Sequence, residues 1–359
     1  MISLVIPSYN NLRHLKNAYN SVRKHYTDKV ELILIDDGSD DGTIEWLKTL
    51  DDNNLKFWRE EKRIGHTILY DKGIESASND IVGILHADMY IAPGYVENLL
   101  KHLSKGKVIC ATRVEPPLHP PGNEKIVKDF GMDFDSLKIE DFYDFSSQEM
   151  KDSKDKTTRG MFAPWVLYKE DYLRMGGHDH GFAPFPYEDS DIFQRWILSG
   201  YELLQSRDAL VYHLTCRGHR WNDKAGGEIG KNDDNFQIFE EKARKHYLKK
   251  WGSWIKNDEW GHPILSPVYK KCVNIINSNP QLQDTLQPWF NGGRDIIVDI
   301  DGNNFTQQDF QVIQNLNDII KDSGEIGQFE LGNLKITINN MTDYSKDLTF
   351  IKNPPYESV

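Results

Sequence analysis

Short apolar runs alternate with helical periodicities through the first third of the chain, and several of the runs stop at a carboxylate. Ser3-Leu4-Val5-Ile6 reads as a strand buried on both faces, closed by the turn cluster Pro7-Ser8-Tyr9-Asn10-Asn11. Leu12, Leu15, Tyr19 and Val22 then recur at helical spacing over about 12–25. Val30-Glu31-Leu32-Ile33-Leu34-Ile35 predicts a second strand, which ends in Asp36-Asp37-Gly38-Ser39-Asp40-Asp41-Gly42. Thr43 begins a helix carrying Ile44, Leu47 and Leu50, and Leu55–Trp58 is a short third strand. Gly65 opens a helix through about Ser78. Ile81-Val82-Gly83-Ile84-Leu85 is a fourth strand, followed at once by His86-Ala87-Asp88-Met89 and, from Tyr95, another helix. This alternation predicts an α/β fold, a mostly parallel sheet flanked by helices. In such sheets, ligands bind beyond the carboxyl ends of the strands.

The middle of the chain is less regular. Lys107–Thr112 reads as a strand, Pro116–Gly122 as a rigid loop, and 146–157, rich in Lys, Asp and Ser, as a mobile surface loop. Arg159–Tyr168 reads as a strand entering a helix. Ile192/Trp196 and Phe193/Ile197 form i,i+4 apolar pairs on a helix that Gly200 terminates, which leaves Glu188 and Asp189 at its N-terminal end, facing a cleft. Leu203–Gln205 and Ala209–His213 read as two strands, and His213 closes an apolar run as Asp88 does. Arg217, His219, Arg220 and Trp221 follow; they suit either a flap that pairs with phosphate or a basic surface loop.

Beyond this point the character changes. Residues 222–234 read as a loop and Asn235–Trp254 as a helix. About 262–290 carries helical patterns interrupted by Pro280 and Pro288. Arg294–Asp299 and Leu334–Asn339 read as strands around a helix at about 306–322, and Pro354–Val359 as a disordered tail. Two domains are therefore expected, 1–258 and a small α/β appendage of unknown role, 259–359, through which the chain would oligomerise if it does so. Ile300-Asp301-Gly302-Asn303 lacks the spacing of a calcium loop.

Composition narrows the function classes. A net charge of −12, with no dense Lys/Arg run, argues against a nucleic-acid or anionic-membrane partner. Cys110, Cys216 and Cys272 stand far apart, so neither a zinc ribbon nor a disulfide framework is expected. No apolar run approaches the ~18 residues of a membrane span. Met1–Ile6 enters a strand without a basic leader, so a cytoplasmic location is expected.

Three places carry candidate chemistry. Asp88, at a strand end, is placed to hold a divalent cation and a diphosphate. The Asp36–Ser39 stretch offers a carboxylate for the N3–H of a uracil-like base, or equally a Gly-containing turn with helix-capping acids. Glu188, Asp189 and Asp191 crowd one helix start, where the exposed N–H groups favour anions and where a general base is also well placed.

Together these stretches resemble the family 2 glycosyltransferases, which have the GT-A fold, a Rossmann-like α/β sheet. The resemblance is carried by Ser3–Asn10, Ile35–Thr43, Leu85-His86-Ala87-Asp88, the Gly-Gly-x-Asp-x-x-Phe turn Gly176–Phe182 and Glu188-Asp189, and covers about residues 1–220. It implies an inverting, metal-dependent transfer of a sugar from a nucleotide-sugar donor, a UDP-sugar by preference, to a hydroxyl acceptor such as a glycan, with Mn²⁺ or Mg²⁺. It also implies residue roles. Pro7 and Tyr9 would line the base pocket with Gly65, and Asp37 would read the base. Asp88 and His213 would hold the metal, and Asp189 would be the general base. Beside these, Glu188, Asp191 and Trp165 are expected on the acceptor side, where Asp191 would position an acceptor hydroxyl or cap the helix.

The chain departs from the family's Asp-x-Asp at its first position, which is His86. A neutral imidazole there can still bond a ribose hydroxyl. Two further readings stay open on the same fold. A nucleotidyltransferase making the nucleotide-sugar is disfavoured because Pro7–Leu12 contains no glycine for a triphosphate loop. A non-catalytic sugar- or protein-binding module is disfavoured by the intact Glu188-Asp189 pair and His213.

Overall fold

In a computed structural model of the chain, the residues described are 1–217, 221, 230–231, 234–251 and 254–264, with the strand segments 296–300, 327–331 and 334–338. The first part runs β1 (Ile2–Ser8), α1 (Leu12–His25), β2 (Val30–Asp36), α2 (Thr43–Leu47), β3 (Leu55–Arg59), α3 (His66–Ser76) and β4 (Ile81–Ile84). It continues through β5 (Met89–Ile91), α4 (Tyr95–Leu100), β6 (Lys107–Glu115), β7 (Lys125–Val127), α5 (Ile139–Asp152), β8 (Thr157–Thr158), β9 (Trp165–Tyr168) and α6 (Lys169–Arg174). α7 (Glu188–Leu198), β10 (Glu202–His213) and α8 (Asp234–Trp251) complete it.

Ten strands form one sheet, in the order β3-β2-β1-β4-β9-β6-β10-β5, with β7 beside β6 and β8 beside β10. β3, β2, β1 and β4 are parallel, as the strand–helix alternation requires. β9 enters antiparallel between β4 and β6, and β5 is antiparallel to β10, so the sheet is mixed. Because β9 is antiparallel to both neighbours, β4 and β6 point the same way, and β10 runs parallel to β6. The carboxyl ends of β1, β2, β4, β6 and β10 therefore share one edge of the sheet, and the site is built there.

Helices cover both faces. α1, α4 and α5 pack Leu15, Ala18, Val22, Tyr95, Leu99 and Phe142 onto one side, and α3, α6 and α7 pack Leu69, Ile74, Tyr172, Ile192 and Trp196 onto the other. Residues 146–152, expected in a mobile loop, instead continue α5. Buried Phe142 and Tyr143 pin its first half to the core, and polar residues on the outer face are compatible with a helix once one face is held. The two short strands expected after 203 are one strand, β10, which carries a bulge between Ser206 and Leu210.

α8 docks Ala243, Tyr247 and Trp251 around Phe182, the last residue of the Gly176–Phe182 turn. The boundary expected at 258 falls inside a turn in which Asp258 N–H donates to His262 O at 2.9 Å and Met161 N–H donates to Trp260 O at 3.0 Å. In the appendage, β11 (Ile296–Ile300), β12 (Gly327–Leu331) and β13 (Leu334–Ile338) form a three-stranded antiparallel sheet. The helices expected at 262–290 and 306–322 and the tail at 354–359 lie outside the described residues, apart from 262–264, as does most of the loop at 222–234.

Candidate active site

A cavity of about 680 Å³ opens at the shared strand edge and is lined by Pro7, His86, Asp88, Glu188, Asp189 and His213, among others. Asp88 ends the short link from β4 into β5 and His213 ends β10, so two separate parts of the sheet deliver them to one place. β5 reinforces this, pairing Met89 with His213. Asp88 is buried; its Oδ2 accepts the Arg217 backbone N–H at 2.8 Å and its Oδ1 lies 3.7 Å from His213 Nε2. His86 joins them, its ring 5.8 Å from that of His213, and one ligand atom from each of His86, Asp88 and His213 falls within 4.8 Å of the others. Two imidazoles and a carboxylate so gathered suit a borderline divalent cation such as Mn²⁺ better than Ca²⁺. His86, expected only on the donor side, thus belongs to the candidate metal set.

Across the same cavity stands the start of α7. Tyr187, in the left-handed region at φ +77°, turns the chain into the helix. Glu188 is buried, and His66 Nε2 lies 2.6 Å from its Oε1. Burial opposes ionisation of Glu188, but the charge of His66 outweighs it and brings the carboxyl down to about 2. Asp189 has the opposite balance: burial first, then the negative charge of Glu188, push it up to about 7. Two adjacent carboxylates are thus driven apart, one held ionised and the other able to take a proton near neutral pH. Asp189 shares a helix face with Phe193, and both line the cavity.

A narrower cleft shares Pro7 and His66 with the cavity and is lined by Tyr9, Asp37, Gly65, Arg63 and Phe185. Asp37 accepts the N–H groups of Ile64 at 2.7 Å and Gly65 at 3.0 Å. Burial raises its pKa, and those two bonds offset part of the rise. The Arg63 guanidinium lies over the Tyr9 ring, 4.1 Å from its centre. Gly65 is required here: its φ is +98°, and a Cβ would come within 2.3 Å of Pro184 Cα.

Two expected acceptor-side residues lie elsewhere. Trp165 is fully buried in β9, packed against Trp196, Tyr172 and His178, because inward positions of a central strand face the core. Asp191 is also fully buried: it pairs with Arg195 Nε at 2.8 Å and accepts Trp251 Nε1–H at 2.8 Å. It anchors α7 to the Gly176–Gly177 turn, since Arg195 also donates to Gly177 O at 2.7 Å. The Arg217 side chain is buried and donates to Met132 O, so it packs into the body instead of forming an exposed flap. His219 and Arg220 are outside the described residues.

Sequence reading missed His66, Arg113 and Glu115. Glu115 had a visible signal, being a charged residue that ends a strand before Pro116-Pro117, the pattern that singled out Asp88 and His213. His66 had only its place beside Gly65.

The sequence profile described as Glycosyl transferase family 2 matches residues 3–173. Among curated proteins, the chain is similar to validoxylamine A glucosyltransferase of Streptomyces hygroscopicus subsp. jinggangensis (strain 5008), 23% identical over 266 residues, which cover 68% of this chain and 61% of that one. It is 30% identical over 132 residues to chondroitin synthase of Pasteurella multocida (strain Pm70), covering 34% of this chain and 13% of that one. The chain thus spans less than two thirds of either relative. Among solved structures, mannosyltransferase PcManGT from Pyrobaculum calidifontis in complex with GDP-Man and Mn²⁺ aligns with a TM-score of 0.43 at 20% identity, over 70% of this chain and 71% of that one.

Proposed function

Since the chain belongs, through residues 3–173, to Glycosyl transferase family 2, we propose that it is an inverting, metal-dependent glycosyltransferase that moves a sugar from a nucleoside-diphosphate donor to a hydroxyl acceptor. The observation that carries the reading is the cavity itself. It has a set that could hold a cation, His86, Asp88 and His213, on one wall and a carboxyl poised near neutrality, Asp189, on another.

The residues divide the work. Pro7, Tyr9, Asp37 and Gly65 line the cleft that would take the nucleobase. Asp37 already holds the Ile64 and Gly65 amides, so it shapes that cleft as well as facing a ligand. His86, Asp88 and His213 would hold Mn²⁺ or Mg²⁺ next to the diphosphate, and the two imidazoles favour Mn²⁺. When bound, the cation would supply positive charge to the departing diphosphate. Asp189 takes the proton of the acceptor hydroxyl as its oxygen bonds to the anomeric carbon, and the bond from that carbon to the diphosphate oxygen breaks with inversion. Its raised pKa makes it a stronger base than an ordinary carboxylate. Glu188, locked to His66, sustains that pKa by its charge, a supporting role on the acceptor side. The nucleotide is a UDP-sugar by preference and the acceptor a glycan or another hydroxyl compound.

The test is to incubate the full chain with a panel of nucleotide sugars and Mn²⁺ and to follow release of the nucleoside diphosphate. Release that needs Mn²⁺ and is lost in Asp88→Ala is expected. Release of inorganic pyrophosphate from a sugar phosphate and a nucleoside triphosphate would instead identify a nucleotidyltransferase. Donor binding without turnover for any acceptor would leave a binding module.

A further inference from the structure

Next to the cation set lies a buried ionic cluster that the reaction does not use directly. Glu115 ends β6 and His213 ends β10, and the two strands are parallel neighbours. Early in the pairing Ser206 faces Ala111; after the bulge Leu210 faces Thr112 and Tyr212 faces Val114. The bulge thus resets the register so that the last residues of the two strands come side by side. Glu115 is 1% exposed and His213 6%. His213 Nδ1 lies 2.8 Å from Glu115 Oε1. Arg113 Nη1 also donates to Oε1, and Lys125 Nζ donates to Oε2 at 3.0 Å.

Glu115 is thus flanked by two cations, Arg113 Nη1 at 2.5 Å from Oε1 and Lys125 Nζ at 3.0 Å from Oε2, and such pairing favours its carboxylate form. An ionised carboxylate only accepts hydrogen bonds, so His213 Nδ1 must carry the hydrogen. With Nδ1 engaged in that bond, Nε2, the nitrogen that faces Asp88 at 3.7 Å, is the one left to offer a lone pair to a cation. Arg113 on Oε1 and Lys125 on Oε2 hold both oxygens of Glu115 in place.

We propose that Glu115 is a positioning residue for the cation: it fixes the tautomer and the ring orientation of His213 so that Nε2 is presented to the metal. This inference rests on the cation site of the preceding reading. Carboxylates that orient ligating imidazoles in this way commonly change metal affinity by about 10–100-fold.

The experiment titrates Mn²⁺ alone into the full chain by calorimetry, using wild type, Glu115→Gln, His213→Gln and the double variant. Glu115→Gln should weaken Mn²⁺ binding by about 10–100-fold, and it should add no further loss once His213 is Gln, because its effect passes through that ring. Wild-type affinity in Glu115→Gln, or the same fold-loss in both backgrounds, overturns the proposal while leaving the transferase reading intact. If the wild type binds no Mn²⁺, or His213→Gln binds it unchanged, the cation site as drawn fails and the proposal with it. A second measurement needs no variant at Glu115. Long-range ¹H–¹⁵N correlation on metal-free wild type should show the His213 ring protonated on Nδ1; a ring protonated on Nε2 alone overturns the proposal.

Discussion

Asp189→Asn separates a basic carboxylate from a merely structural one, because it changes charge while keeping shape. Two effects of opposite sign are expected. Turnover should fall by ~10²–10⁴-fold, the range for removing a general base. Stability should rise, and only at the higher pH. Asp189 is lifted from 3.8 to about 7, by burial first and by Glu188 second. A tenfold change in acidity corresponds to about 1.4 kcal/mol, so ionised Asp189 costs the fold up to roughly 4 kcal/mol, lowered by whatever screening the cavity provides. Between about pH 4 and 7 the unfolded chain releases this proton before the folded protein does. The wild type therefore loses stability relative to Asp189→Asn as pH rises through that window, and the gap is complete above about pH 7. Urea unfolding of both proteins at about pH 4.5 and 8, with the same buffers and salt, reads the gap. Single-turnover transfer with saturating donor reads the rate, which in wild type should drop as pH falls through about 7. A gap that does not change with pH, or an Asp189→Asn protein less stable at the higher pH, would refute the desolvated carboxylate. Near wild-type turnover in Asp189→Asn would move the base elsewhere, and loss of donor binding would make Asp189 a ligand.

Asp191→Asn removes the carboxylate charge that pairs with the buried Arg195 guanidinium and should destabilise by about 3–5 kcal/mol in urea unfolding. A full rate loss at unchanged stability would return Asp191 to the acceptor site. Gly65→Ala meets Pro184 and an unfavourable φ of +98°, so nucleotide affinity by calorimetry should weaken and the melting temperature should fall; unchanged affinity would place the base outside this cleft.

Much of the scaffold was legible along the chain because local rules act there. Continuous apolar runs became β1, β2 and β4 with their expected bounds nearly intact, since strands buried on both faces leave no room for polar residues. The strand-end rule found Asp88 and His213, and the helix-start pattern found Glu188 and Asp189, all four of which line one cavity. The same rules misplaced Asp191 and Trp165, because a helix or strand pattern does not say which polar or aromatic residue turns inward. That choice came from partners distant in the chain, Arg195 with Gly177 and Trp251 for Asp191, and Trp196 for Trp165. Residues 146–152 read as loop because their polarity was local, while the helix is held by the buried face at Phe142 and Tyr143.

What periodicity cannot carry is register and pairing between remote segments. The run ending at His213 was visible and Glu115 was not singled out, and only the bulge in β10 and its pairing with β6 bring the two within hydrogen-bond reach. Nothing in the order of residues links His66 to Glu188; the fold sets them 2.6 Å apart, and the low dielectric of that burial turns the contact into opposite pKa changes for neighbouring carboxyls. Residue type and local pattern determine which groups reach the strand edge, whereas their charge states are collective properties of burial and neighbours, which exist only once the sheet has closed around them.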